Sequence, residues 1–233
     1  MVQCSSGLCR KTVLTINEPT ADYPEDSAGK KAEWKSDVIM KPARPVLVPI
    51  DMQQVFDLPG RSRRWNAEIE RNGHALLAAW RTRKFPVVHV RHDSVDPLSW
   101  FHPTHPANAL RRGFEPQPNE MLISKSVNSA FIGTDLDLRL RRIGADLVVV
   151  FGMTTDICVS TTVRTGANLG WSMMVVSDAC DCCDLPDPLG AGTVRAEELH
   201  RAHLASLASE FAELTTTDEI VATVAALDAK KTY

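Results

Sequence analysis

Residues 146–171 constrain this chain more than any other stretch. They read Asp-Leu-Val-Val-Val-Phe-Gly-Met-Thr-Thr-Asp-Ile-Cys-Val-Ser-Thr-Thr-Val-Arg-Thr-Gly-Ala-Asn-Leu-Gly-Trp. Leu147 to Phe151 is an unbroken, valine-rich apolar run closed by Gly152, the pattern of a strand buried on both faces in a parallel sheet. Thr154, Thr155 and Asp156 then offer capping oxygens, and an amphipathic stretch runs on to Leu169-Gly170. The expectation is strand, tight turn, helix, with Cys158 in the first helical turn. There a thiol meets the positive end of the helix dipole and nearby backbone N–H groups, and both favour the nucleophilic thiolate. Free cysteine is also among the most buried residue types, so this stretch alone leaves a reactive and an inert thiol about equally open.

A chain of 233 residues can bury one substantial core but not two generous ones. A formal charge of −3 lacks the basic excess of a nucleic-acid binder. No apolar run approaches the ~20 residues that span a bilayer, so no membrane partner is expected. Of the cysteines Cys4, Cys9, Cys158, Cys180, Cys182 and Cys183, three crowd one short segment. That is no disulfide framework, and it points to the reducing cytoplasm. The first residues lack the apolar core of a signal peptide, and Glu18, Asp22, Glu25 and Asp26 are foreign to a mitochondrial presequence.

Residues 1–42 are polar, contain Pro19, Pro24 and Pro42, and show no periodicity; they read as an irregular N-terminal arm preceding a domain at 43–233. Cys4 and Cys9 lack a second pair at ligand spacing, which disfavours a metal. Pro45 to Asp51 is the first buried strand, with Pro49 awkwardly inside it. An Asp at the C-terminal end of a parallel strand faces the crevice where open α/β sheets bind ligands. A helix is expected over 61–83 and a strand at Val87 to Arg91, followed by a long irregular stretch, 92–119, read as a wall or lid. His89, His92, His102 and His105 have no ordered ligand spacing, so no metal is expected there. Glu120 to Lys125 is a third strand, and Asp135 to Ile143 a helix. Trp171 to Asp178 is a strand, Thr193 to Phe211 a helix, Ala212 to Thr217 a weak sixth strand, and Asp218 caps a last helix over 219–229. Gly190-Ala191-Gly192 lacks the third glycine and preceding strand of a dinucleotide fingerprint.

Strands alternating with helices predict a three-layer, doubly wound α/β protein with a mainly parallel six-stranded sheet and helices on both faces. In it, the C-terminal ends of the first, third and fourth strands bring Asp51, Lys125 and Cys158 round one crevice. Each is ambiguous alone, as a cap, a solvated lysine or a core thiol. Together they are far less so.

With these residues in place, the sequence resembles the isochorismatase-like cysteine hydrolases, the superfamily of N-carbamoylsarcosine amidase, biuret hydrolase, ureidoacrylate-type amidohydrolases and nicotinamidases. The stretches that carry the resemblance are 48–56, 124–131 and 152–164, the last being the most specific. It implies a catalytic Asp51–Lys125–Cys158 triad, a cis peptide at Met153–Thr154, and an oxyanion hole from the Thr154 and Cys158 N–H groups. The aspartate and histidine cluster by which nicotinamidases bind a metal is missing after Asp51, so neither nicotinamide nor a metal or other cofactor is expected. Cys158 favours an amide, ureido or carbamoyl C–N bond over the vinyl ether of true isochorismatases, which typically lack the cysteine. Phe56, Trp100, Phe101 and Phe131 are candidate pocket walls for a small-molecule substrate. The expected assembly is a homo-oligomer, dimer or tetramer, with the arm available to dock on a neighbouring subunit. Three rivals stay open: isochorismatase-type ether hydrolysis with Cys158 idle, an inactive ligand-binding member of the fold, and a redox protein built on Cys180–Cys183.

Overall fold

The computed structural model describes residues 44–190 and 192–227. The N-terminal arm, the Cys4/Cys9 pair and the far end of the last predicted helix lie outside them. The two longest apolar runs form adjacent strands, Pro45–Ile50 (β1) and Leu147–Met153 (β4), paired in parallel from Pro45 against Leu147 to Ile50 against Gly152. Val88–His92 (β2), Met121–Lys125 (β3), Ser172–Asp181 (β5) and Glu213–Thr215 (β8) complete one parallel sheet in the order β3-β2-β1-β4-β5-β8. Leu185–Pro186 (β6) and Thr193–Val194 (β7) make a separate antiparallel pair. The expected doubly wound α/β fold is therefore the fold observed.

Among the described residues five α-helices connect or follow the strands: Ile69–Arg83 (α1), Leu136–Arg142 (α2), Ser160–Asn168 (α3), Ala196–Glu210 (α4) and Thr217–Ala226 (α5). α1 packs on α5, and α3 on α4. α1 buries Ile69, Leu76, Leu77 and Trp80 at helical spacing. It starts eight residues later than its charge pattern predicts, because residues 61–66 are used elsewhere: the Trp65 and Asn66 N–H groups donate to the buried Asp181 carboxylate at 3.2 and 3.1 Å. It stops at Lys84, which takes a left-handed φ of 56° ahead of Phe85-Pro86.

Pro49 sits in a central strand without breaking it. The alternate N–H groups of β1 face the β2 side, Leu47 donating to the Pro86 carbonyl at 3.1 Å and Asp51 to the Val90 carbonyl at 2.9 Å. Pro49 is the position between them, where the ladder to β2 is interrupted: only Ile50↔Val90 and a bridge at Leu47↔Val87 pair across it. The strand sequence turns back between β1 and β4, which creates the switch point where open α/β sheets hold ligands at their C-terminal ends.

Candidate active site

Asp51, His92 and Lys125 stand at the ends of β1, β2 and β3, and Cys158 in the turn that follows β4. Asp51 follows β1 directly with φ 50°, is almost wholly buried, and is turned into the crevice. Lys125 is the last residue of β3, and β2 lies between it and Asp51, so its side chain crosses the end of β2. There it meets His92, the last residue of β2 and the register partner of Lys125. The Lys125 Nζ donates to Asp51 Oδ2 at 2.7 Å and Cys158 Sγ at 3.3 Å, and lies 3.0 Å from His92 Nδ1. An ammonium has three protons and no lone pair, so these three acceptors use its whole donor capacity. His92 must then be neutral, with its proton on Nε2.

Gly152 lets β4 approach β1 this closely. Its φ is 127°, and a Cβ there would fall 2.1 Å from the Ile50 carbonyl oxygen. The Met153–Thr154 peptide is cis. Cys158 lies not in a regular first helical turn but in a wider turn, Thr155–Val159, in which the Val159 N–H reaches back five residues to the Thr154 carbonyl at 3.1 Å. α3 begins only at Ser160. Beneath this turn, Thr155 Oγ1 sits 2.9 Å from His200 Nδ1 and 3.2 Å from the Asp181 carbonyl oxygen, both buried.

The electrostatics differ from a thiol simply ionised by a helix end. Burial, then the Asp51 carboxylate, pushes the Cys158 thiol well up from its ordinary range, outweighing the Lys125 charge. Burial also raises Asp51 against the pull of Lys125. Burial and the adjacent Lys125 charge hold His92 below its usual value. The Asp51 Oδ1 is buried with no hydrogen-bond partner among the described residues. Asp51, His92 and Cys158 also place an oxygen, a nitrogen and a sulfur within 4.8 Å of one another, a donor set a soft cation could use. The Lys125 ammonium, bonded to all three, stands where such a cation would sit.

A cavity of about 450 Å³ opens above this cluster, a size suited to a small molecule. Phe56, Trp100 and Phe101 line it, as do Thr154 and Cys158. Phe131 does not: it is buried in the core, where its ring and Met173 enclose Gly166. Phe101 meets both Phe56 and His92 edge-on, with ring centroids 5.4 and 5.2 Å apart. His92, Arg61, Asp156 and Cys183 line the cavity too, beyond the site residues expected from the sequence. The rule that selects Asp51 and Lys125, a polar side chain ending a parallel strand, selects His92 equally. Arg61 and Cys183 lie in connections and carry no such signal. The three clustered cysteines behave differently: Cys180 is buried in β5 with its thiol pushed up to about 12 by burial, and the Cys182 thiol donates to Asp156 Oδ1 at 3.3 Å.

A buried acid, a lysine and a cysteine thus meet at the switch point of a doubly wound sheet. The chain belongs to the isochorismatase family: the isochorismatase domain matches residues 45–219. It is 35% identical to the isochorismatase family protein YrdC of Bacillus subtilis, over 76% of this chain and 95% of that protein. An isochorismatase-family hydrolase from Chromobacterium violaceum superposes with a TM-score of 0.75 at 38% identity, over 80% of this chain and 95% of that one. A cysteine hydrolase from Pseudomonas syringae gives 0.74 at 29% identity, over 81% and 96%. More partial relatives are the streptothricin hydrolase of Streptomyces noursei, 29% identical over 60% of this chain and 50% of that protein, and a ureidoacrylate amidohydrolase of Methylobacterium radiotolerans, 33% identical over 44% and 36%.

Proposed function

We propose that the protein is a cysteine-dependent amidohydrolase, cleaving a small amide, ureido or carbamoyl C–N bond through a thioester-type intermediate. The observation that carries this reading is the single ammonium of Lys125 bonded to Asp51, His92 and Cys158 beside a cavity of small-molecule size. The cysteine rests as a neutral thiol, because burial and Asp51 both oppose its ionisation. Attack and proton transfer therefore go together: Sγ adds to the substrate carbonyl carbon while its proton passes to Asp51, whose Oδ1 is the acceptor left open. Lys125 holds the carboxylate and offsets the charge on sulfur. The Thr154 and Cys158 N–H groups face the oxyanion, each good donor worth roughly 3 kcal/mol. Asp51 returns the proton to the departing nitrogen, ammonia leaves, and a water deprotonated by Asp51 opens the thioester to release the acid and restore the thiol. Relatives named as a streptothricin hydrolase and a ureidoacrylate amidohydrolase accord with C–N chemistry at such a site. With free thiols throughout the described residues, the reducing cytoplasm is the compartment that fits.

Cys158→Ala tests the reading. Ammonia release from amides and ureides should fall by at least 10³-fold while the melting temperature moves by no more than a few degrees, since the change deletes the nucleophile and little volume. Ammonia release within tenfold of wild type would remove Cys158 as the nucleophile and with it the covalent mechanism.

A further inference from the structure

The segment 61–64 reads Arg-Ser-Arg-Arg, and the fold treats its three guanidinium groups differently. Arg63 pairs with Asp184 and Glu197. Arg64 pairs with Asp57 and the buried Asp181. Arg61 has no ion-pair partner among the described residues, yet it lines the cavity, with its guanidinium carbon 5.1 Å from the centroid of the Trp100 ring. It is the one arginine or lysine among the described lining residues. The acids on the same wall are otherwise engaged: Asp51 is neutralised by Lys125, and Asp156 Oδ1 accepts the Cys182 thiol. A guanidinium over an indole has one face covered, and with no ion-pair partner among the described residues its N–H groups remain available for a bidentate bond to a carboxylate.

From this we infer that Arg61, backed by Trp100, is a carboxylate anchor, and that the substrate is a small amide or ureide carrying a free carboxylate beyond the scissile C–N bond. The inference rests on the amidohydrolase reading and adds the substrate's charge. The carboxylate binds in the plane of the guanidinium, the carbamoyl end points inward to Cys158, and the aromatic wall of Phe56 and Phe101 packs the short linker between them. Arg61 is thus a binding residue that fixes specificity and takes no part in proton transfer.

The test uses matched pairs, ω-ureido acids and acid monoamides of two to four carbons against their methyl esters, with ammonia release as readout. The wild-type enzyme should prefer the acid by at least tenfold in kcat/KM, chiefly through KM. In Arg61→Met that ratio should collapse to about one, as loss of a charge-assisted bidentate bond costs roughly ten- to a hundredfold. Arg61→Lys, which keeps the charge but not the planar fork, should recover only part of it. Esters cleaved as well as acids by the wild type, or a preference that survives Arg61→Met, would overturn the anchor while leaving the hydrolase standing. If no pair shows release that depends on Cys158, the amidohydrolase reading fails and the anchor falls with it.

Discussion

At the scale of single residues, His92 decides how the lysine is held. Its Nδ1 lies 3.0 Å from the Lys125 Nζ, with Asp51, Asp93 and Cys158 as the other ionisable groups around it. Protonating His92 would turn an acceptor into a second cation facing the ammonium. The two carboxylates favour that proton, but burial and Lys125 outweigh them, so the folded His92 titrates below its ordinary 6.5. Activity should therefore be full at neutral pH and fall on acidification somewhere below pH 6.5. His92→Gln keeps an acceptor without a titrating group, and its kcat/KM should lose the His92 part of that acid limb, leaving only the part set by the Asp51 carboxylate, while staying within about tenfold of wild type at pH 7.5. A variant with an unchanged limb would take His92 out of the site's protonation chemistry.

Among the elements, the long connection after β2 has the clearest structural logic. Stretches this long without regular structure need an internal reason to hold one shape. Here it is a pair of buried amides. Gln53, two residues past Asp51, accepts the His92 N–H at 2.9 Å and donates to the Asn108 carbonyl at 2.8 Å. The Asn108 amide reaches the carbonyls of His92 and Phe101 at 2.9 and 2.7 Å. The wall that carries Trp100 and Phe101 is thereby tied to the strand end that carries His92. Asn108→Ala removes the donor that bridges the His92 and Phe101 carbonyls, which keep only the Gln53 Nε2 and the Ser94 N–H respectively, a loss of about 1 kcal/mol per bond placed at the cavity wall. It should open the 93–105 segment to limited proteolysis and lower kcat/KM at least tenfold; proteolysis at the wild-type rate would show the amide pair to be dispensable.

For the molecule as a whole, acid stability turns on groups that support the site from outside it. His200 on α4 is buried against Thr155 and the Trp65 ring, and burial lowers its pKa to about 4. A histidine held neutral in the fold stabilises it fully above the unfolded value near 6.5, and that contribution disappears as pH falls from 6.5 to 4. At ~1.4 kcal/mol per unit this amounts to roughly 3 kcal/mol. Glu120 acts lower still: burial works to raise it, but hydrogen bonds from Arg81, the Gln117 N–H and His89 bring it to about 2. Its contribution is present above pH 4.5 and lost as pH falls toward 2. The urea midpoint should thus decline from pH 6.5 downward, with His200→Gln flattening the stretch between 6.5 and 4. An equally steep decline in that variant would place the acid sensitivity elsewhere.

The sequence by itself determined the parts governed by local pattern. Apolar runs marked β1 and β4, alternation of strand and helix specified a doubly wound sheet, and polar residues ending strands marked Asp51 and Lys125. Boundaries blurred where tertiary partners compete with helix propensity. Residues 61–66 are drawn to Asp181 and Asp184 instead of extending α1, β5 continues through Cys180 to Asp181, and Thr216 rather than Asp218 caps α5. Only the tertiary structure decided what depends on strand order, because order in a sheet is not written in any one strand. With β2 lying between β1 and β3, Lys125 must pass His92 to reach Asp51, so the lysine acquires a third acceptor. Burial is equally a property of the assembled molecule, and it pushes the Cys158 thiol up where the helix end alone favours a thiolate. Phe131 is divided from Phe56, Trp100 and Phe101 for the same reason: all are large and aromatic, and only packing separates core from cavity wall.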